Sequence, residues 1–189
     1  YQNLPVADKA WYQLASWYYQ KGRLYDPVRD TANRYALLSA KEICERIAAK
    51  KDSSEGWANC KNLLAGITSP EINMQTEKVN VPGQAFRTLV SWRNFTQLHF
   101  RVMKVDRNIL QKITDNNQTD EDYWKKLLSL PVIKTFSRAL PDTRDHQTHN
   151  AEIAIDALPI GQYALVASVG RDFGLKKNPL SVQYFHVSN

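Results

Sequence analysis

The hydrophobic pattern of this 189-residue chain changes period near residue 68, and that change limits the folds open to it. Before it, apolar residues recur at three- and four-residue steps, the spacing of one helical face. After Ser69 and Pro70, short apolar runs alternate with turn signals such as Pro82-Gly83, which is typical of strands. We therefore predict an α+β chain with a helical region over residues 1–68 and a β-sandwich over residues 69–189.

The first 68 residues predict three helices in a tetratricopeptide-like hairpin region. The first helix ends near Gly22, which suits a C-terminal cap, and the second follows Asp26 with Pro27 in its first turn. Asp52 and Glu55 have the spacing of a capping box, which predicts the start of the third helix. The three apolar stripes comprise Val6, Ala10, Trp11, Leu14, Trp17 and Tyr18; Val28, Ala32, Tyr35, Ala36, Ala40, Ile43 and Ile47; and Trp57, Cys60, Leu63, Leu64 and Ile67.

The remaining residues predict seven strands and one helical insertion. Seven short strands separated by turns indicate an antiparallel sandwich, and the lack of regular crossover helices disfavours a parallel sheet. Thr119 as N-cap, followed by the acidic run Asp120-Glu121-Asp122, predicts a helix over about residues 119–130. The strands are predicted at about residues 74–81, 86–92, 98–105, 132–138, 148–155, 162–169 and 180–187.

The net charge of +6 does not mark a nucleic-acid surface. Residues 1–68 and 69–189 each carry +3, and the longest basic clusters are pairs such as Lys50-Lys51. Phosphate binding through counterion release needs a denser cluster of cations, so we expect no nucleic-acid partner. No apolar run approaches the ~20 residues that span a bilayer, so we expect no direct insertion into a membrane.

The sequence contains none of the motifs that mark phosphate loops, nucleophile elbows or zinc peptidases. His146 and His149 are three residues apart, and on a strand such residues point to opposite faces, so we interpret them as solvated side chains. The helix dipole already explains the acidic run at residues 120–122. We predict no catalytic residue, no cofactor and no metal site, and hence no enzyme.

The two cysteines form the one candidate site. Cys44 and Cys60 each lie eight residues from Asp52, so an antiparallel hairpin folded about Asp52 brings them to the same level. Helix axes ~8–10 Å apart allow the ~5.5–6 Å Cα separation that a disulfide requires. Two buried free thiols are the alternative, because free cysteine is among the most buried residue types. The sequence leaves both states open.

Several motifs resemble those of bacterial alpha-2-macroglobulin-like proteins. The turn Leu-Pro-x-Gly-x-Tyr at residues 158–163, leading into the penultimate strand, carries the most weight. Pro159 and Gly161 set that turn, while residues alternate inward from Tyr163 onwards. The resemblance covers about residues 75–189. The motifs are Val81-Pro82-Gly83-Gln84-Ala85-Phe86, Ser91-Trp92-Arg93-Asn94, Leu98-His99-Phe100-Arg101-Val102, residues 158–168, the closing Val187-Ser188 and, more weakly, residues 55–64.

The resemblance implies a fragment from the N-terminal part of a much longer chain, with a helical region followed by a first macroglobulin (MG2) domain. It implies a bacterial cell envelope, in the periplasm or attached to the outer membrane, and a role in endopeptidase inhibition by trapping or in host interaction. The implied partners are neighbouring macroglobulin-like domains and peptidases. The family's Cys-Gly-Glu-Gln thioester is absent, since Glu45 follows Cys44 and Lys61 follows Cys60.

A peptide- or carbohydrate-binding module of the cell surface is the alternative. Under this hypothesis the helical part binds a peptide and aromatic rings stack on sugars, although aromatic residues at helical spacing more often pack in a hydrophobic core. The discriminating observation is whether these rings are buried. The aromatic residues concerned are Trp11, Tyr12, Trp17, Tyr18, Tyr19, Trp92 and Trp124.

Overall fold

The computed structural model describes residues 5–50, 53–113, 119–175 and 178–189. Two units make up the chain: the first comprises Tyr1–Ser69 and Thr143–Thr148, and the second Pro70–Asp142 and His149–Asn189. The helices are α1 (Pro5–Gly22), α2 (Ala36–Ala48), α3 (Glu55–Thr68), α4 (Arg107–Ile113) and α5 (Asp120–Leu128). The strands are β1 (Glu71–Thr76), β2 (Val79–Asn80), β3 (Phe86–Arg93), β4 (Gln97–Val105), β5 (Val132–Ala139), β6 (His149–Ile155), β7 (Gly161–Ser168) and β8 (Leu180–Val187).

The packing face of α1 differs from the predicted stripe. Leu14 and Trp17 are exposed, whereas Ala15 and Gly22 are buried. A Cβ added at Gly22 would lie 2.6 Å from the Leu37 side chain, so the two helices meet there through a residue without a side chain. The predicted stripe was therefore correct only in part: Trp11 and Tyr18 pack against the core, but small residues set the closest approach.

The second helix begins at Ala36, nine residues later than predicted. The Asp26 carboxylate accepts the backbone N–H groups of Val28 and Arg29 at 2.8 and 2.9 Å. These bonds make a local turn that competes with helix formation, and Val28 is 88% exposed. Asp26 therefore forms a turn and does not start the helix.

The third helix begins at Glu55 with Ser54 as its N-cap. The Ser54 hydroxyl accepts the backbone N–H of Trp57 at 3.2 Å, the bond expected of an N-cap. The predicted cap at Asp52 lies outside the described residues. The core of this unit is built from small and aliphatic side chains of all three helices, namely Ala15, Leu37, Ala40, Cys44, Ile47, Cys60 and Ile67.

The described residues of the second unit form two sheets, with strand orders β1-β3-β6 and β2-β8-β7-β4-β5. All pairings are antiparallel except β2 with β8, which is parallel. The predicted strand at residues 74–81 divides into β1 and β2, which join different sheets. The described residues thus form eight strands and not seven, and the sheets are not wholly antiparallel. The other six predicted strands are confirmed within one or two residues at each end.

The two sheets enclose one core, and helices cover the other face of the five-stranded sheet. A bulge in the β4–β5 pairing lies between Val102 and Met103 of β4. Val102 belongs to the core between the sheets, whereas Met103 packs with α4 and α5. β7 is buried on both faces, which explains its continuous apolar run. The core between the sheets includes Val90, Trp92, Leu98, Phe100, Ile153, Ile155, Tyr163, Leu165 and Phe185.

The described part of the insertion has two helices where one was predicted. α5 is confirmed, with Thr119 and Asp122 closing its capping box. α4 was missed, although Asp106 supplies a helix-start signal by accepting the backbone N–H of Ile109 at 2.7 Å. Among the described residues, no helix is both long and apolar enough to cross a membrane.

Candidate functional site

The motifs at residues 81–86 and 158–163 meet β8 in one network, here called the Tyr163 corner: Gly83, Leu158, Pro159, Tyr163 and Phe185. The Tyr163 ring is buried and stacks on Phe185 at 5.6 Å, and its hydroxyl donates to the Pro159 carbonyl at 2.8 Å. Gly83, with a φ of 72°, donates its N–H to the Leu158 carbonyl at 3.3 Å. Motifs that lie about 75 residues apart in the sequence therefore share one corner.

Two further features hold the Tyr163 corner in place. A Cβ at Gly161 would lie 3.1 Å from the Tyr163 hydroxyl, so glycine leaves room for that side chain. Burial raises the pKa of Tyr163, which keeps its hydroxyl protonated as a donor. The closing motif is held as well, because the Ser188 N–H donates to the Asn80 carbonyl at 3.1 Å. The last strand thus leaves the sheet in a defined position.

The motifs at residues 91–94 and 98–102 supply core and turn residues. Trp92 is buried and packs against the His149 ring at 5.7 Å. Phe100 stacks on Phe136 of β5 at 4.7 Å with an interplanar angle of 9°. Asn94 has a φ of 65°, a left-handed conformation that asparagine tolerates in turns. These residues stabilise the sandwich and present no reactive group.

Cys44 of α2 and Cys60 of α3 are wholly buried, and the structure has both as free thiols. Their thiols are hydrogen-bonded to each other. Burial raises the pKa of Cys44 to about 12, with the neighbouring Cys60 adding to the shift. Burial also raises the pKa of Cys60. Nucleophiles and metal ligands are thiolates, so neither reduced cysteine is suited to such chemistry near neutral pH. The disulfide remains a prediction.

Sequence reasoning missed a buried carboxylate in the segment 143–148 of the first unit. Asp145 is wholly buried and accepts Nε of Arg34 at 2.9 Å and the backbone N–H of Gln147 at 3.0 Å. The Gln147 side-chain amide donates to the carbonyls of Gly22 and Arg34, at 3.1 Å each. Arg34 and Asp145 are 111 residues apart, so no local pattern could have paired them. We name these residues the Asp145 cluster; its charges and polar groups are paired, which suits a structural role.

The other titratable side chains that the sequence singled out also lie in surroundings typical of a structural role. His149 lies on β6 beside Trp92, whereas His146 has a φ of 58° in the segment 143–148. Hydrogen bonds from Thr119 lower the pKa of Asp122, which closes the α5 capping box. Across the parts of the chain that the structure describes, no group of three or more His, Cys, Asp or Glu side chains is placed to hold a metal ion.

Of the seven aromatic rings considered for sugar stacking, one is buried, five are half-buried and one is exposed. Trp92 is in the core, the Arg46 guanidinium lies 4.1 Å from the Trp11 ring centre, and Trp124 packs edge-on against Tyr123. Trp17 is 53% exposed. Trp17 is thus the most open of these rings, and the half-buried Trp124 lines a surface pocket of about 630 Å³.

The comparisons with known proteins assign no family. No protein-family model matches the chain, and no curated protein matches it. Among solved structures, the CARDB domain of the PF1109 protein from Pyrococcus furiosus, in complex with di-metal ions, is similar at 10% identity and a TM-score of 0.36, over 64% of this chain and 88% of that chain. The bacterial hydrophobin BslA is similar at 12% identity and a TM-score of 0.30, over 64% of this chain and 96% of that one. The alkylpurine DNA glycosylase AlkC of Pseudomonas fluorescens, bound to DNA containing an abasic site analog, is similar at 8% identity and a TM-score of 0.32, over 93% of this chain and 52% of that one. Likenesses this weak carry no functional argument.

Proposed function

We propose that this chain is a non-catalytic structural module of a large alpha-2-macroglobulin-like protein of the bacterial cell envelope. It contributes to endopeptidase inhibition by trapping or to host interaction, and its partners are the neighbouring macroglobulin-like domains and peptidases. The supporting observation is the Tyr163 corner, where residues from separate resemblance motifs contact one another. A seven-stranded macroglobulin-like sandwich with β2 as an added short strand is the finer fold we propose.

The geometry of the five-stranded sheet suits a structural module that holds its neighbours in a longer chain at fixed positions. β7 is buried on both faces and pairs with β4 and β8, so the centre of the five-stranded sheet is rigid. The bond from Ser188 to Asn80 fixes the direction in which the chain leaves β8. The thiols are buried with raised pKa values, and Asp145 is paired with Arg34. These features support scaffolding and offer no group activated for catalysis.

The proposal is tested by the size, location and binding of the parent protein. An antibody raised against this chain should detect, in the envelope fraction of the source organism, a protein much larger than the 21.7 kDa of these residues. The purified parent protein should co-elute with an added endopeptidase such as trypsin, whereas this chain alone should not. A cytoplasmic protein of about 22 kDa, or no co-elution with any of a panel of endopeptidases, would contradict the proposal.

A peptide- or carbohydrate-binding module remains the second candidate, and the exposure of Trp17 favours it. The Lys21 ammonium lies 5.5 Å from the Trp17 ring centre, so the ring is in contact with a cation on one side. Under this alternative, the wild-type chain binds members of a glycan or peptide array and Trp17→Ala loses those signals. Array signals that are absent, or that persist unchanged in Trp17→Ala, would remove it.

A further inference from the structure

Strand β5 forms an exposed edge of the five-stranded sheet. It pairs with β4 on one side, and most of its residues are exposed. Ile133 is the extra residue at the bulge opposite Val102 and Met103, so the regular edge runs from Lys134 to Ala139. Six residues of strand extend about 20 Å. The backbone groups of such an edge can pair with another extended segment, and proteins commonly block this with charges, prolines or bulges.

Among the strands that the structure describes, none pairs with the free side of β5, and a side chain lies there instead. The Arg138 guanidinium donates to the Ser137 carbonyl of the same strand at 3.0 Å. Arg138 and Ser137 are both exposed, so an incoming peptide can replace this bond without opening the core. Lys134, at the start of the regular edge, is ion-paired with Asp156. The bulge and this ion pair mark the start of the segment open to pairing, residues 134–139.

A basic groove adjoins this edge on the sheet surface. It encloses about 530 Å³ and is lined in part by His99 and Arg101 of β4, Thr135 and Ser137 of β5, and Arg171. The described residues that line it include no aspartate or glutamate. The groove therefore presents cations and hydroxyl groups without an acid of its own.

The two arginines of the groove differ from those of the other sheet. On the three-stranded sheet, Arg87 is paired with Glu152 and Arg93 with Glu71. Arg101 lies with its guanidinium 4.0 Å from the Phe173 ring centre and, within the described part of the chain, neither it nor Arg171 pairs with a carboxylate. An aromatic ring that packs against a guanidinium fixes its orientation, so less conformational freedom is lost when the guanidinium binds a carboxylate.

We propose that β5 binds an extended acidic peptide segment of a partner protein, which adds a strand along residues 134–139 and places a carboxylate in the groove against Arg101 and Arg171. Main-chain pairing supplies the affinity and the groove supplies the preference for acid, as in other cases of strand addition. Side chains of an added strand alternate between the two sheet faces, so acidic residues two positions apart point to the face that carries the groove. This surface depends on the geometry of β5 and not on the macroglobulin resemblance.

The test uses a capped synthetic peptide, Thr-Val-Glu-Val-Glu-Val-Thr, and the same peptide with both glutamates replaced by glutamine. The glutamate peptide should bind the 189-residue chain about tenfold more tightly and should slow amide hydrogen exchange in β5. Two further peptides carry N-methyl groups along one or the other edge. Methylation on the pairing edge should abolish binding, and methylation on the opposite edge should leave it unchanged.

Charge variants separate specific binding from general attraction. Arg101→Gln with Arg171→Gln should weaken the glutamate peptide about tenfold, whereas the control pair Arg29→Gln with Arg107→Gln, which removes the same charge from exposed positions, should not. Equal weakening by both pairs would overturn the proposal, as would no binding at millimolar peptide. Two other outcomes would also refute it: protection of β5 that rises with protein concentration without peptide, which indicates a second copy, and equal binding of free sodium glutamate without protection of β5.

Discussion

Replacing Tyr163 by phenylalanine tests the Tyr163 corner with little other disturbance. The variant keeps the buried ring and its stacking on Phe185 but loses the 2.8 Å hydrogen bond to the Pro159 carbonyl. A hydrogen bond of this kind contributes about 0.5–1.5 kcal/mol, and an acceptor left buried without a partner costs more. Pro159 is exposed, so water can reach its carbonyl, and we expect a loss of about 1 kcal/mol.

The measurement is thermal unfolding followed by a probe specific to the second unit. Because two units need not unfold together, a single transition for the whole chain would be misleading. Amide exchange or NMR signals of β7 report on the correct unit. A loss of about 1 kcal/mol corresponds to a decrease in Tm of about 4 °C for a unit of this size. Tyr163→Ala should cost about 3–5 kcal/mol, since it also removes the ring from the core.

Two controls sharpen this prediction. Tyr35→Phe removes a hydroxyl from a ring that is 56% exposed and should leave the second unit unchanged. Gly161→Ala adds a Cβ 3.1 Å from the Tyr163 hydroxyl, so its cost should be smaller in the Tyr163→Phe background. A Tm for Tyr163→Phe equal to that of the wild type would refute the role of the corner, as would strictly additive costs for the Gly161 pair.

Four further predictions concern the helical unit. Gly56→Ala should destabilise it by about 1–3 kcal/mol in urea unfolding, because the new Cβ would lie 2.4 Å from backbone of α1; Gly66→Ala, with open space around it, should be neutral or stabilising, and equal effects would contradict this packing. A disulfide between Cys44 and Cys60 would close a loop of 15 residues and stabilise the unit by about 3 kcal/mol. Thiol titration of the protein isolated from its source under denaturing, non-reducing conditions should then find no free thiol, and two free thiols would exclude the bridge. In the reduced chain, the raised pKa of Cys44 means that the buried protonated thiol stabilises the helical unit below pH 9. This contribution should be lost as the pH rises towards about 12, so a urea midpoint that does not change over this range would contradict the burial of the thiol. Arg34→Gln leaves the buried Asp145 carboxylate without its counter-charge and should lower the urea midpoint; an unchanged midpoint would contradict the pairing.

The helices and strands whose ends are marked by caps or turn residues nearby in the chain were predictable from the sequence. α5 follows from a capping box within four residues, and most strands end at turn residues close by in the chain. The division of the first predicted strand into β1 and β2 was not predictable in this way. β2 pairs in parallel with β8, about 105 residues later, and no nearby turn signals that partner. Periodicity locates a strand but does not choose its sheet.

The candidate sites likewise divide into one formed by residues close together in the chain and one formed by distant residues. Cys44 and Cys60 could be placed together because one helical hairpin relates them. The Asp145 cluster could not, since a polar residue in a loop gives no sign of its burial or of its distant arginine. The face of α1 was misjudged for a related reason: hydrophobic periodicity weights large side chains, whereas Gly22 sets the close approach.

The reading frame that contains these 189 residues tests the central claim most directly. If this chain is a module of an alpha-2-macroglobulin-like envelope protein, sequencing of the gene should find an export signal upstream and many further sandwich domains downstream of Asn189. A stop codon soon after Asn189, with no export signal upstream, would contradict the account.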